Sequence, residues 1–190
     1  MKIYPLLLRI WAALLVSALL NLTALSTNYM LLMAANIANL LCYGVIVHAL
    51  YRMADESARL LRAFRTQFAA LVLVALALVC TLLAGDSLTL LNFLSLLTVA
   101  GGIASLLGDY FLYWGLDERI LPCGYAFPAR RIRWCLYAPV LGSFIGSLFV
   151  LTGPLVLTVA LQTAGQLVGV WLLWQYMQAV RAREDDPLAY

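Results

Sequence analysis

The sequence predicts an all-α polytopic membrane protein: a single domain over 1–190 with six transmembrane helices in three antiparallel hairpins and both termini cytoplasmic. Three observations predict it. Of 190 residues, 65% are hydrophobic and only 11% charged, against about 25% charged in an ordinary soluble domain. Six apolar runs, at about 5–25, 28–51, 67–84, 88–115, 134–152 and 154–180, each supply the roughly 20 residues that a helix needs to cross a bilayer. The third observation is where the cations fall.

Lys2 and Arg9 head the first run, Arg52, Arg59, Arg62 and Arg65 follow the second, Arg119, Arg130, Arg131 and Arg133 follow the fourth, and Arg181 and Arg183 end the sixth. The turns after the first, third and fifth runs, "LSTN", "AGDS" and "LTGP", hold neither Lys nor Arg. All twelve cations therefore share one side of a six-span topology, and the positive-inside rule makes that side the cytoplasm of a plasma membrane, such as a bacterial inner membrane. The opening "MKIYPLLLRIWAALLVSALL" imitates a signal peptide, but Arg9 interrupts it and another span follows at once, so a retained first helix is expected. The segment "ARLLRAFRTQF" (58–68) reads as a helical extension of the third span. A short flexible tail is expected over 184–190.

Polar residues inside the spans recur at helical spacing. Asn36, Asn39 and Tyr43 form a stripe on the second helix, Ser95, Thr98, Gly102, Ser105, Asp109 and Tyr113 on the fourth, and Gln162, Gly165, Gln166, Gly169 and Tyr176 on the sixth. Counted from the uncharged turns, Asn36/Asn39, Ser95/Thr98 and Gln162/Gln166 lie roughly 11–17 Å deep, near mid-bilayer. A deeper layer holds His48, Asp109 and Gln175. Stacked polarity in alternate spans predicts a partly polar interior between helices two, four and six. Asn36, Asn39, Ser95, Thr98, Asp109, Gln162 and Gln166 are its candidate solute-binding residues. The even spacing from Arg9 to Asn36 and from Arg65 to Asn92, 27 residues each, also fits a threefold parallel repeat.

Asp109 is the residue that asks most of a membrane, since a carboxylate at mid-bilayer costs about 3 kcal/mol even on the mildest scale. His48, the chain's one histidine, lies at similar depth and offers an acid–base partner. Three function classes follow. The first is a transporter, channel or solute-binding membrane subunit. The second is a non-catalytic membrane subunit whose polar layers are interhelical glue and which docks a cytoplasmic protein. The third is an intramembrane enzyme using Asp109 and His48. The chain carries no phosphate-binding glycine loop, no H-E-x-x-H and no G-x-S-x-G, which weighs against an enzyme. Cys42, Cys80, Cys123 and Cys135 form no C-x-x-C pair, so no metal, cofactor or disulfide is expected. No nucleic-acid signature appears.

Two peripheral features complete the reading. The connection over 116–134, "LDERILPCGYAFPARRIRW", is broken by Pro122, Gly124 and Pro128. Its Arg130, Arg131 and Arg133, with Tyr125, Phe127 and Trp134, suit anionic lipid headgroups or a cytoplasmic partner. The fifth helix spaces Ala138, Gly142 and Gly146 four apart, a seam for close helix contact or for a second copy of the chain.

Six spans, cytoplasmic termini and this length resemble the substrate-binding components of energy-coupling-factor vitamin transporters. That likeness implies that small residues on the first helix, here Ala13 and Ser17, meet a coupling subunit, although the long outer loops of that family are missing. The tract "SLLGDYFL" (105–112) is similar, over eight residues, to the acid-bearing segment of lysoplasmalogenase-type membrane hydrolases, a fold with more helices than six.

The topology predicts opposite labelling of two serines in connections on opposite sides of the membrane. In a cysteine-free background, a membrane-impermeant maleimide applied to intact cells should label Ser26→Cys and leave Ser57→Cys unlabelled until the cells are opened. The reverse pattern would invert the assignment.

Overall fold

The fold is known from a computed structural model, which describes residues 2–83, 88–150 and 153–186. It contains six long helices: α1 (Tyr4–Leu20), α2 (Tyr29–Met53), α3 (Ala58–Leu83), α4 (Leu88–Glu118), α5 (Trp134–Val150) and α6 (Leu155–Glu184). By length and composition all six can cross a membrane, α1 together with the 3-10 turn Asn21–Leu25 that follows it. α3 begins nine residues before the apolar run at 67, because Leu60, Ala63 and Gln67 recur on one buried face and carry the helix down to Ser57. α6 runs on to Glu184, whose carboxylate accepts hydrogen bonds from the N–H groups of Ile3 (2.6 Å) and Tyr4 (3.3 Å). The expected tail is thus helical at its first residue, and its last four residues, 187–190, lie outside the described residues. So do 84–87 and 151–152, which include the "AGDS" turn and half of "LTGP".

Local chemistry sets the helix ends. Pro5 opens α1, where its missing N–H removes nothing from the ladder. Asn28 caps α2, its side chain accepting from the N–H groups of Met30 (3.0 Å) and Leu31 (3.3 Å).

The ends that carry the cations meet one another and hold most of the buried core. Leu7 and Ile10 of α1, Leu50 and Met53 of α2, Leu60 of α3, Leu116 of α4 and Tyr176 of α6 are all nearly inaccessible. The connection between α4 and α5 folds over them as a cap. Ile120, Tyr125, Phe127 and Ile132 enter the core, and Tyr125 and Phe127 both set ring edges against Tyr176, at 5.8 and 5.5 Å. Tyr176 donates its hydroxyl to the Leu116 carbonyl at 3.2 Å. Asp117 organises the far side of the cap. One oxygen accepts from the Arg130 N–H (2.7 Å), and the other accepts from Arg133 Nε (2.8 Å) and meets its terminal nitrogen (2.6 Å). Arg133 also lies over the Trp114 ring at 4.6 Å. Two further ion pairs, Arg119–Glu56 and Arg59–Glu118, cross between elements at the same end.

This arrangement changes the reading of the basic connection. Tyr125 and Phe127 are core residues and Arg133 is committed to Asp117, so only Arg130 is left fully exposed and Arg131 half-buried beside Phe127. Apolar burial and a carboxylate ligand for the guanidinium outcompete headgroup contact for those side chains.

Towards the uncharged turns much of the apolar surface is exposed, although α5 and α6 stay together there, Thr158 donating its hydroxyl to the Gly146 carbonyl at 3.1 Å. Leu82, Leu83, Leu96, Val99, Phe144, Leu148 and Leu155 are all largely exposed, as expected of surfaces that face acyl chains. Around the bundle, α1 packs between α2 and α6, α2 on α3, α3 along α4, and α5 along α6. α4 and α5 touch only sparsely. Among the described residues the backbones of α2, α4 and α6 do not approach one another closely, and these helices meet through side chains, as where Tyr176 of α6 reaches the Leu116 carbonyl of α4.

The α5–α6 seam is built from small residues. A methyl group on Gly165 would lie 2.5 Å from the Ala138 carbonyl oxygen, and one on Gly142 would lie 2.7 Å from that of Leu161. The Ala138/Gly142/Gly146 face is therefore filled by α6 of the same chain, and a second copy binding there would have to displace α6. Van der Waals contact at this spacing substitutes for the hydrophobic driving force that lipid removes.

Gly165→Ala should cost about 1–3 kcal/mol, the usual penalty for overpacking a close contact, and lower the melting temperature in detergent. Gly102→Ala is the control, since nothing lies within 4 Å of a methyl group there, and it should leave stability unchanged or slightly higher.

Candidate functional site: a chamber around Asp109

Asp109 lies nine residues before the end of α4, about 14 Å along the helix from the cap. The first requirement of a carboxylate at that depth is a donor. Gln67 of α3 supplies it: its Nε2 donates to Asp109 Oδ1 at 2.7 Å and reaches the Ser105 carbonyl at 3.3 Å. Gln67 in turn accepts a short hydrogen bond from the Tyr43 hydroxyl of α2. A line of three side chains, Tyr43–Gln67–Asp109, thus crosses α2, α3 and α4, and each group in it uses the other's polarity.

Gly108 makes the line possible. A methyl group at that position would fall 2.5 Å from Gln67 Cγ and 2.7 Å from Nε2. The amide lies flat across the bare backbone of α4, which is the one route by which a side chain as long as glutamine reaches the next residue's carboxylate while remaining 99% inaccessible.

Asp109 borders two cavities. The first, about 140 Å³, is lined by Leu14 and Ser17 of α1, Leu106, Asp109 and Tyr113 of α4, Cys135, Pro139 and Val140 of α5, and Gln166 and Gly169 of α6. The second, about 200 Å³, lies between α1, α2, α3 and α4 and adds Asn39, Cys42, Tyr43, Gln67 and Ser105. Leu14, Ser17, Asp109 and Tyr113 border both, so the two are lobes of one chamber with the acid between them. Leu106 and Val140 line the first lobe and are nevertheless 48% and 42% exposed. The first lobe therefore lies close to the bundle surface, beside the seam where α4 and α5 barely meet. Trp114 against Tyr137, ring centroids 6.0 Å apart, closes that seam at the cap end.

The polar groups at the wall differ in how they are satisfied. Gln166 accepts from Asn21 Nδ2 at 2.5 Å. Asn39 Oδ1 is buried and has no hydrogen-bond partner. Pro139 has no N–H to give the Cys135 carbonyl one turn back, and that carbonyl faces α6 at Gly169.

Of the residues singled out in the sequence, the structure brings Asn39, Asp109 and Gln166 to the chamber. Asn36 and Thr98 line a separate groove between α2, α3 and α4, with Asn39 at its border. Ser95 and Thr98 turn their hydroxyls back to the carbonyls of Leu91 (3.1 Å) and Leu94 (2.9 Å) on their own helix. Gln162 lies against Gly146 in the α5–α6 seam. His48 is exposed in a groove with Arg9 and Leu71, on the opposite side of α2 from the chamber-lining Tyr43, as their five-residue separation requires. Ala13 is buried and Ser17 faces the chamber, so neither offers an outer surface to a coupling subunit. Gln67 and Ser17 were the residues that the sequence left unmarked as site residues. Gln67 had a signal: it is the lone amide among the apolar residues of the third span.

No known protein family, characterised protein or solved structure matches this chain. Its chemistry must be read from the chamber itself. Among the described residues, no three His, Cys, Asp or Glu side chains gather into a metal-binding group.

Gly108→Ala should push Gln67 off Asp109 and leave the acid without its donor. The carboxyl stretching band assigned to Asp109, as the band lost in Asp109→Asn, should shift in the infrared spectrum of Gly108→Ala. An unmoved band would mean that Gln67 does not hold the acid.

Proposed function

We propose that the chain is an integral membrane solute-binding protein of the transporter class, with Asp109, Gln67, Asn39, Ser17 and Gln166 forming the binding chamber. The observation that carries this reading is a two-lobed cavity deep in an apolar bundle, walled by all six helices between its lobes and centred on one carboxylate. Interhelical glue alone has no use for empty volume: polar side chains that merely join helices pack against one another, and here Asn39 and Asp109 front a space instead. The six spans act as three antiparallel hairpins with both termini in the cytoplasm of a plasma membrane, a topology supported by the one-sided cations. Arg130 and Arg131 give the cap a basic surface toward anionic headgroups or a cytoplasmic protein. An acid–base enzyme built on Asp109 and His48 is disfavoured by their separation into different cavities.

The decisive variants are Asn39→Ala and Gln166→Ala. Native mass spectrometry of protein extracted gently from its own membranes should find a small molecule carried on the wild type, and five- to tenfold less of it on each variant at equal folded yield. Variants that lose thermal stability but keep the same carried molecules would reduce these residues to structural glue.

A further inference from the structure

The chamber has a sign. Neither lobe is lined by Lys, Arg or His; Arg9 fronts the groove that holds His48, and Arg65, two residues from Gln67, is exposed. The groups facing Asp109 can be named helix by helix. α2 presents Tyr43 and Cys42, α4 presents Tyr113, and α5 presents Cys135, all phenols and thiols that carry no charge at neutral pH. α1, α3 and α6 present Leu14, Ser17, Gln67, Gln166, Gly169 and Val170, none of which titrates. The remaining polar groups of the lining are neutral hydroxyls, amides and carbonyls. Asn39 Oδ1 is buried without a donor, and the Cys135 carbonyl has lost its helical partner to Pro139. A carboxylate in such a place requires a positive charge or its own proton.

Size and access narrow the occupant. Each lobe approaches or exceeds the roughly 150 Å³ of an apolar cavity that takes up benzene, and the walls at Leu14, Leu106, Leu136, Val140 and Val170 are hydrocarbon. Leu106 and Val140, which line the first lobe, are also partly exposed on the outer face of the bundle.

Resting on the chamber reading above, we propose that this site takes a hydrophobic organic monocation, an ammonium group carried on a ring-sized apolar body. It enters from the bilayer between α4 and α5 and exchanges for the proton on Asp109. When the cation arrives, Asp109 releases its proton to water and keeps the electron pair as a carboxylate. The ammonium then sits against that carboxylate, beside Leu14, Ser17 and Tyr113, which border both lobes. When the cation leaves, a proton returns, so the acid is never left charged and alone.

The test uses the full chain in nanodiscs and three probes of one shape: benzyltrimethylammonium, benzyl alcohol and benzoate. The cation should bind at least tenfold more tightly than the alcohol at pH 8, and benzoate weakest of all. Because binding expels a proton, affinity for the cation should rise about tenfold per pH unit until Asp109 is ionised without it, and then level off. A pH dye in weak buffer should record one proton released per cation bound at the acid end. Asp109→Asn, nearly isosteric, should lose tenfold or more for the cation, together with the pH slope and the proton release, while still binding benzyl alcohol. If the alcohol binds wild type as well as the cation does, or if cation binding survives Asp109→Asn or shows no pH slope, the charge assignment is overturned and the chamber stands. If none of the three probes binds wild type, the chamber reading falls and the assignment falls with it.

Discussion

A carboxylate placed in hydrocarbon must be given a hydrogen-bond donor, and the contact from Gln67 to Asp109 meets that demand. Much of the architecture near mid-membrane is arranged around it. The amide reaches the acid only because Gly108 leaves α4 bare at the crossing point, which draws α3 against α4 along their lengths. Tyr43 then satisfies the amide oxygen and ties α2 to the pair. The three helices are thereby joined by polarity at the depth where apolar packing discriminates least, since lipid tails are as good a partner for leucine as another helix is.

The second organising feature is the unequal packing of the two ends. At the charged end, the α4–α5 connection lays Ile120, Tyr125, Phe127 and Ile132 over the helix ends, and Asp117 locks it to Arg133. This is packing of the kind found in a soluble core. Towards the uncharged turns, apart from the α5–α6 seam, the helices leave many leucines and valines exposed to the bilayer. The chamber sits at the transition, where packing loosens.

The helices and their number were legible because hydropathy and length suffice to mark a span, and because lone cations punctuate the apolar text so regularly. Asp109 was legible too, as a costly residue in a costly place. Its partner was not. The sequence offered His48 by depth, but depth along an axis says nothing of azimuth, and five residues of helix carry His48 to the far side of α2 from Tyr43. The interior expected among the even helices was legible only in part: Asn39, Asp109 and Gln166, one from each, border the chamber, but odd helices supply much of its wall. Stripes on three helices reveal that each has a polar face, yet adjacency is decided by packing, and the glycines at 108, 142 and 165 determine which helices come close. Ser95 and Thr98 show a further ambiguity, because a hydroxyl in a helix can satisfy itself on the preceding turn, so a polar stripe does not by itself mark the chamber wall. Gln67 was overlooked because it follows a run of arginines and reads as part of the polar approach to the membrane.

One consequence lies in the sparse seam between α4 and α5. Since contact between α4 and α5 is sparse among the described residues, the width of the gap is set jointly by the protein and by the acyl chains that press on Leu106 and Val140. Thickness, chain order and lateral pressure of the surrounding bilayer thus become thermodynamic variables of the cavity, and the lipid is in effect a movable seventh wall.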